Sequence, residues 1–363
     1  MYIVLITTLI SLLLTYLNTK DIVKNGLKIS FILVTLLAAI HYRYGNDYMA
    51  YLEIYNDVNK YSSNNFNIIF DETFFRDTGW ALLCRLFNNL GGFFMMVAIL
   101  NIIQNVIVYR FIKNNVAKQW WVMAVFIYLF VTNLYLLNFS MMRQGFVVCI
   151  FLGMWKYIKE RKWWWPLLIL FLCSYIHASA VILLPFAFWG YLPMKKGKLW
   201  TCIFLAIFAI LWSQKNILGE IIYMATMSSE SLEGYTTTYG DNVNTATFNI
   251  GFIMNLIPFV LSLYYSYKCD EPEKRKLVLL AAVSFMITPF TLIIPDIGRL
   301  GTYFAIYKLA AYPLVYSNIK RLEPRIGFLA IFVLMTLYDY WIFFNVGVFA
   351  KPYRTFHTIF EAI

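Results

Sequence analysis

Long apolar runs separated by short polar loops recur along the whole chain. A run of about 20 apolar residues is long enough to cross the hydrocarbon core of a membrane as a helix. The pattern therefore predicts an all-α polytopic membrane protein with about twelve transmembrane or half-membrane helices, in a single integral membrane domain over residues 1–363. The predicted spans are 2–18, 27–42, 90–112, 119–137, 140–157, 163–176, 178–190, 199–213, 248–268, 277–294, 300–317 and 326–347.

The first predicted span has two interpretations, a cleaved signal peptide and a retained helix. Its start, MYIVLITTLI, lacks a basic region, and no cleavage site of small residues follows it. We therefore expect a retained helix.

Lysines and arginines concentrate in six of the short loops between these spans, and alternate loops carry few of them. The positive-inside rule assigns the basic loops to the cytoplasm and the other loops to the outer face. The net charge of +11 is then explained by topology, and a nucleic-acid partner is not needed. The basic loops cover residues 20–28, 110–118, 156–162, 195–198, 268–276 and 320–325.

Residues 163–190 must enter and leave on the cytoplasmic side if this alternation is to hold. Each half has about 14 residues, or ~21 Å of helix, which is short of the ~30 Å hydrocarbon core. We therefore predict a hairpin of two short helices bent near His177, with one long tilted span as the alternative. The outer face then includes loops 43–89 and 214–247, and the second of these is polar enough to be a substrate loop.

Two arginines stand at the outer starts of predicted spans. A helix N-terminus attracts anions, and the guanidinium groups of Arg143 and Arg299 offer several donors to a phosphate. We expect Arg143 to face the protein interior, since a long apolar run follows it; snorkelling to lipid headgroups is the alternative. Gln144 and Tyr303 lie beside them as further candidate substrate contacts. Lys308 either lines a cavity or snorkels.

A second candidate group follows the second predicted span, in the segment YRYGNDY. Gly45 permits a tight turn that would bring Arg43 close to Asp47. Tyr44 and Tyr48 offer flat surfaces with polar tips for sugar rings. An interfacial aromatic belt with an ordinary salt bridge is the alternative. The residues at helical spacing predict a helix with one aromatic face: Tyr48, Tyr51 and Tyr55.

Three further segments carry polar side chains toward the predicted outer face. His177, at the hairpin bend, suits a general acid or base or a donor to phosphate, with a structural hydrogen bond as the alternative. Tyr353 and Arg354 either fold back over the outer site or contact lipid headgroups. Asp77 precedes TGWALLCRLF and is typical of the capping residue of a surface helix.

Familiar catalytic motifs are absent from the sequence. It has no phosphate-binding glycine loop, no serine-nucleophile elbow, no HExxH pair and no DxD pair. The three histidines are scattered and the acids are not clustered, which argues against a metal site. We therefore predict chemistry without a metal or cofactor, in which cations act on an anion such as phosphate or pyrophosphate.

Four ordered segments resemble the EpsG family of Wzy-like polysaccharide polymerases: RYGNDYMAYLEIY, SMMRQGFVVCIFLGMWKYIKERKW, LCSYIHASAVILLPF and GRLGTYF. The resemblance covers roughly residues 40–310, and the segment PYRTF is also similar. Asn46 departs from the family pattern, which has a small or hydroxyl residue there. The resemblance implies a fold like that of the C-type glycosyltransferases, with an active site at the outer face.

The activity implied by the resemblance is transfer of a growing glycan from undecaprenyl pyrophosphate onto the next lipid-linked repeat unit. It implies the outer side of the bacterial cytoplasmic membrane and a surface glycan such as O antigen or capsule. Arg143 and Arg299 would bind the donor pyrophosphate and stabilise the leaving group. Arg43 and Asp47 would position the second substrate or each other. His177 would be the acid or base or a hydrogen-bond donor to phosphate, with Asp47 or Asp296 as an alternative base.

The partners expected from the resemblance are undecaprenyl-pyrophosphate-linked oligosaccharides and membrane lipid. A regulator protein that sets chain length is compatible with the sequence, which does not require one. The alternatives are a flippase for the same lipid-linked oligosaccharides and another lipid-linked-sugar transferase, such as an O-antigen ligase. We favour the polymerase, because the sequence has no internal repeat and its candidate residues gather at one predicted face.

Overall fold

The computed structural model describes residues 2–63, 65–71, 75, 77–132, 134–215, 217, 250–291, 298–345 and 353–355. The chain divides into two compact units. Unit 1 consists of Met1–Tyr191 with Thr336–Ile363, and unit 2 consists of Leu192–Met335.

Nearly all of the described secondary structure is helical. The α-helices of unit 1 are α1 Tyr2–Thr19, α2 Gly26–Ala39, α3 Tyr48–Ser62, α4 Thr78–Asn88, α5 Gly92–Asn115, α6 Trp121–Phe130, α7 Leu137–Ser140, α8 Met142–Lys159 and α9 Trp164–Ser174. Its 3-10 helices are Phe66–Phe70, Lys118–Trp120 and Ala178–Tyr191. Unit 2 contains α10 Gly197–Ser213, α11 Ile250–Lys268, α12 Pro272–Met286, α13 Thr288–Thr291, α14 Gly298–Ala305 and α15 Lys308–Asn318. The unit boundary falls within α16 Leu322–Asn345.

Within the described residues, α1, α5 and α16 are long and apolar enough to cross a membrane. Shorter apolar helices accompany them: α2, α9, α10 and the 3-10 helix Ala178–Tyr191. The helical membrane class predicted from the apolar runs is therefore confirmed at this level.

Three predicted spans are wrong as continuous helices. The span 119–137 ends as a helix at Phe130, where Val131 turns to extended backbone. The span 277–294 ends at Met286, close to Pro289, which cannot donate a helical hydrogen bond. The span 300–317 is divided between α14 and α15. Hydropathy predicts where a segment prefers an apolar environment, and it does not detect such breaks.

Residues 164–191 form two short helices that pack against each other as a hairpin. The hydroxyl group of Tyr191 donates a hydrogen bond to the carbonyl of Arg161, which joins the end of the hairpin to its start. A Cβ atom on Gly190 would lie 1.8 Å from the carbonyl oxygen of Ile158. Glycine is therefore required where the 3-10 helix Ala178–Tyr191 crosses the end of α8.

A short antiparallel strand pair lies just after α2, beside the loop that carries Arg43. Strand β1 (His41–Tyr42) pairs with strand β2 (Arg354–Thr355). The Tyr353 hydroxyl donates to the Leu37 carbonyl at 2.5 Å, and its ring packs edge-on against Tyr44 at 5.1 Å. The segment therefore folds back onto the residues that end and follow α2, and the predicted role of Tyr353 and Arg354 at an outer site stays a prediction.

Arg275 lies inside unit 2 and is only 2% exposed. The sequence predicts a cytoplasmic loop at residues 268–276, but the structure places Arg275 in the first turn of α12. A buried guanidinium must satisfy its donors within the protein. It donates to the backbone carbonyls of Met194, Lys195, Ser266 and Cys269.

Candidate functional site

The candidate site in unit 1 is built around the second residue of α8. There Nη1 of Arg143 donates to Oδ2 of Asp77 and forms an ion pair. The two side chains are 23% and 8% exposed, respectively. The pair therefore lies where the interior meets solvent, and its attraction is screened less than that of a fully exposed pair.

Asp77 connects this ion pair to the hairpin bend. Helix α4 begins at Thr78, where the sequence predicts a helix start, but the predicted side-chain cap is wrong: Asp77 makes no capping hydrogen bond. Its Oδ2 faces Arg143, and its Oδ1 accepts a hydrogen bond from the Ala178 amide at 3.3 Å. A charged partner makes a stronger hydrogen bond than a helix amide, which accounts for the difference. One carboxylate thus joins Arg143 to the residue after His177.

The bend that carries His177 is fixed by backbone hydrogen bonds. The His177 amide donates to the Cys173 carbonyl at 2.9 Å, and its own carbonyl accepts from Ala180 at 2.9 Å. The Gly79 amide donates to the Tyr175 carbonyl at 2.8 Å, so the start of α4 and the bend are held together. His177 as a whole is half-buried.

Tyr51 on α3 forms another wall around Arg143. The guanidinium carbon of Arg143 lies 5.3 Å from the centre of the Tyr51 ring, a cation–π distance. Burial raises the pKa of the Tyr51 hydroxyl, the charge and hydrogen bond of Arg143 oppose that rise, and the charge of Asp47 adds to it. The charges of Asp47 and Arg143 therefore shift the pKa of the same Tyr51 hydroxyl, in opposite directions. The aromatic face predicted for α3 is confirmed, since Tyr48, Tyr51 and Tyr55 are all buried.

Arg43 lies in a turn that requires glycine at position 45. Gly45 has a φ of 124°, and a Cβ atom there would lie 1.9 Å from the carbonyl oxygen of Phe139. Arg43 itself has a φ of 51°, which is uncommon for a residue other than glycine. Its side chain is exposed, and its guanidinium carbon lies 5.4 Å from the centre of the Tyr42 ring.

Several predicted substrate contacts are buried in this structure. Tyr44 and Tyr48 are fully buried and pack edge-on against Phe139 at 5.6 Å and Phe93 at 5.5 Å, respectively. Gln144 is 1% exposed. A sugar ring stacks on an exposed aromatic face, so these side chains are placed to support the site rather than to meet a ligand in this arrangement.

Three of the residues singled out from the sequence lie in unit 2: Arg299, Tyr303 and Lys308. Arg299 is exposed at the second position of α14, which corresponds to the position of Arg143 in α8, while Tyr303 is fully buried. Lys308 begins α15 and lines a cavity of about 160 Å³ with Ser262 and Ser284 among other residues, so its cavity-lining alternative is observed. The predicted substrate loop 214–247 lies outside the described residues except for positions 214, 215 and 217.

Unit 1 therefore brings together Arg143, Asp47 and the bend at His177, and adds Asp77 and Tyr51. The sequence did not indicate the role of Asp77, because it offered a sufficient local explanation as a helix cap. A guanidinium fixed by a carboxylate, which in turn binds the backbone next to His177, is an arrangement suited to binding an anion. The apolar helices indicate a membrane protein, and the anion-binding role of this polar group stays a prediction.

A family model described as the EpsG family matches residues 24–355 of the chain. The chain therefore belongs to the EpsG family. No curated protein and no solved structure matches it. Family membership indicates a membrane protein of polysaccharide biosynthesis, in a family associated with glycosyltransferase-like polymerase activity.

Proposed function

We propose that the protein is a polysaccharide polymerase of the outer side of the bacterial cytoplasmic membrane. It transfers a growing glycan from undecaprenyl pyrophosphate to the next lipid-linked oligosaccharide repeat unit. The observation that carries the proposal is the pairing of Arg143 with an aspartate that also binds the hairpin bend next to His177. Membership of the EpsG family supports the same class of reaction.

The transfer requires one bond to form and one to break at the anomeric carbon of the donor glycan. A hydroxyl oxygen of the acceptor sugar forms the new glycosidic bond. The bond from the anomeric carbon to the pyrophosphate oxygen breaks, and its electron pair leaves with the pyrophosphate. The hydroxyl proton passes to a base. Negative charge thus develops on the leaving group, where a pre-positioned cation accelerates the reaction.

Arg143 suits the leaving-group role for three reasons. It lies at the N-terminus of the 18-residue α8, where the helix dipole adds positive potential. Asp77 and the Tyr51 ring hold the guanidinium in place, so little reorganisation is needed when charge develops. Asp77 also lowers the energetic cost of keeping a partly buried cation when no substrate is bound.

His177 and Asp47 are the candidate bases in unit 1. His177 is half-buried at a rigid bend, and an imidazole accepts protons near neutral pH. Asp47 shares the electrostatic environment of Tyr51 with Arg143. Arg299 in unit 2 is proposed as a second ligand for the donor pyrophosphate, and the exposed Arg43 as a contact for the acceptor.

The test is a gel of surface glycan and lipid-linked intermediates from the native bacterium carrying Arg143→Ala or Arg299→Ala. Loss of long chains, with single repeat units still reaching the outer surface, is the expected result. Arg110→Ala is the matched control, because Arg110 is exposed in a predicted cytoplasmic loop. Protein amounts are compared by immunoblot.

Other outcomes identify the alternatives. Repeat units that accumulate on the cytoplasmic side would indicate a flippase. Long chains that remain on undecaprenyl pyrophosphate would indicate a ligase. A ladder that Arg143→Ala leaves unchanged would remove that residue from the site.

A further inference from the structure

Unit 2 contains a groove of about 570 Å³ formed by the end of α11, the end of α15 and the start of α16. Three cations line it, Lys268, Lys320 and Arg321, and all three side chains are exposed. Its apolar lining includes Leu261, Val315 and Ile319. The groove thus combines a basic edge with an apolar wall.

The charge of the groove is not balanced by the residues that form it. No acid is among its lining residues, although Asp270 and Glu323 follow close in sequence. Other nearby acids pair with other lysines: Glu271 with Lys274 and Glu273 with Lys276. Within the described residues, none of the three groove cations takes part in an ion pair. Like charges gathered in one concave surface raise the local positive potential, which attracts an anion.

The size and the apolar wall indicate what kind of anion fits. The volume falls in the range of about 300–1,000 Å³ that is typical of sites for small organic molecules, which is larger than a single phosphate ion needs. A free, hydrated ion also gains nothing from an apolar wall. An amphiphile with an anionic head and an apolar body satisfies both parts of the lining.

The positions of the three groove cations along the chain indicate which face of the membrane the groove belongs to. Lys268 ends α11, and Lys320 and Arg321 lie between α15 and α16, so all three belong to loops that the positive-inside rule assigns to the cytoplasmic face. Basic pockets between membrane helices on that face bind the headgroups of anionic lipids.

We propose that this groove binds the phosphate headgroup of an anionic membrane phospholipid. The three cations contact the phosphate, and the glycerol and upper acyl carbons lie against Leu261, Val315 and Ile319. The site is independent of the reaction proposed for the protein, and it would hold unit 2 at a defined depth in the membrane.

The experiment is native mass spectrometry of the full-length protein released from nanodiscs that contain equal amounts of phosphatidylglycerol and phosphatidylcholine. The wild-type protein should retain phosphatidylglycerol selectively. The variant Lys268→Gln/Lys320→Gln/Arg321→Gln should retain at least about tenfold less phosphatidylglycerol than the wild type, because each basic residue contributes to anionic-lipid affinity. The charge-preserving variant Lys268→Arg/Lys320→Arg/Arg321→Lys should retain it as the wild type does.

The matched control removes three exposed lysines from another loop of unit 2 that is assigned to the same face, through Lys195→Gln/Lys196→Gln/Lys198→Gln. Equal loss of phosphatidylglycerol in this control would overturn the proposal, since it would show a general charge effect. Equal retention of phosphatidylcholine, displacement by millimolar inorganic phosphate, or retention of a polyprenyl phosphate alone would also overturn it. Size-exclusion profiles establish that each variant remains folded.

Discussion

Arg143 in unit 1 and Arg275 in unit 2 are both arginines near the start of a helix, but they are held in different ways. Arg275 is 2% exposed and donates to four backbone carbonyls. The Arg143 side chain is 23% exposed and is held by a carboxylate and the face of an aromatic ring.

The difference separates a structural cation from the one proposed to bind the donor pyrophosphate. Backbone carbonyls are neutral acceptors that bind Arg275 only while the fold around them is intact, so this guanidinium joins the segments of unit 2. Asp77 instead provides a counter-charge that orients Arg143, whose side chain stays 23% exposed. An incoming phosphate can then share the cation without disrupting a backbone contact.

The largest effect should come from Arg275→Ala. It leaves four carbonyls without their donor, and such a loss costs on the order of 3–5 kcal/mol of unfolding free energy. We expect little monodisperse protein and a much lower thermal midpoint in detergent, measured by size-exclusion chromatography after heating. Arg275→Lys should fail as well, because one ammonium group cannot reach all four carbonyls. Lys274→Ala is the control, since Lys274 is exposed; a normal midpoint for Arg275→Ala would contradict the structural role.

Arg143→Ala should have the largest effect on activity, with a much smaller change in stability. Losing a donor to the developing charge lowers the rate by about 10²–10³-fold. The measurement is the rate of chain extension by purified protein supplied with lipid-linked repeat units. Arg143→Lys keeps the charge without the planar fork, so its rate should lie between those of Arg143→Ala and the wild type. If Arg143→Ala loses stability as severely as Arg275→Ala, the contrast between the two arginines fails.

Asp77→Asn should have an intermediate effect. The amide oxygen can still accept from the Ala178 amide, but the charge that holds Arg143 is gone. Removing such an orienting partner typically lowers activity by about 10–100-fold. The double variant with Arg143→Ala should be no slower than Arg143→Ala alone, because both changes act through one guanidinium. Additive losses in this cycle would show that Asp77 acts separately.

Tyr51 should show the smallest effect. Tyr51→Phe keeps the ring face under Arg143, so its rate should stay within about threefold of wild type. Tyr51→Leu removes the ring face. Compared with Tyr51→Phe, it should lose a further ~0.5–1 kcal/mol from the cation–π interaction with Arg143. Chain extension and thermal midpoints of the two variants are compared. A larger loss in the Phe variant would assign the main role to the Tyr51 hydroxyl.

Much of the fold of unit 1 could be predicted from apolar patterning and glycine placement. The apolar run at 90–112 corresponds to α5, and the spacing of the tyrosines after Asp47 corresponds to the buried face of α3. These features depend on residues close in sequence. The turn at Gly45 has the same local basis, because only glycine avoids a clash there.

The central contact of the site could not be predicted in this way. Asp77 and Arg143 are 66 positions apart, and nothing local distinguishes an aspartate that caps a helix from one that turns toward a distant arginine. The burial of Arg275 could not be predicted either, because its acceptors are backbone carbonyls, which every residue possesses. One sequence reports the preference of each segment for water or lipid, and it does not report which distant groups pair.

The strand pair between β1 and β2 has a consequence for how the protein is made. It joins position 41 to position 355, so the turn at Arg43 lacks this strand partner until nearly all of the matched family region has been synthesised. During that interval the loop has its contacts with Phe93 and Phe139 but not the strand pairing. A truncation just before Tyr353 would therefore remove the strand partner of a segment made early in synthesis, and a bulky fusion directly after Thr355 would lie beside the turn at Arg43.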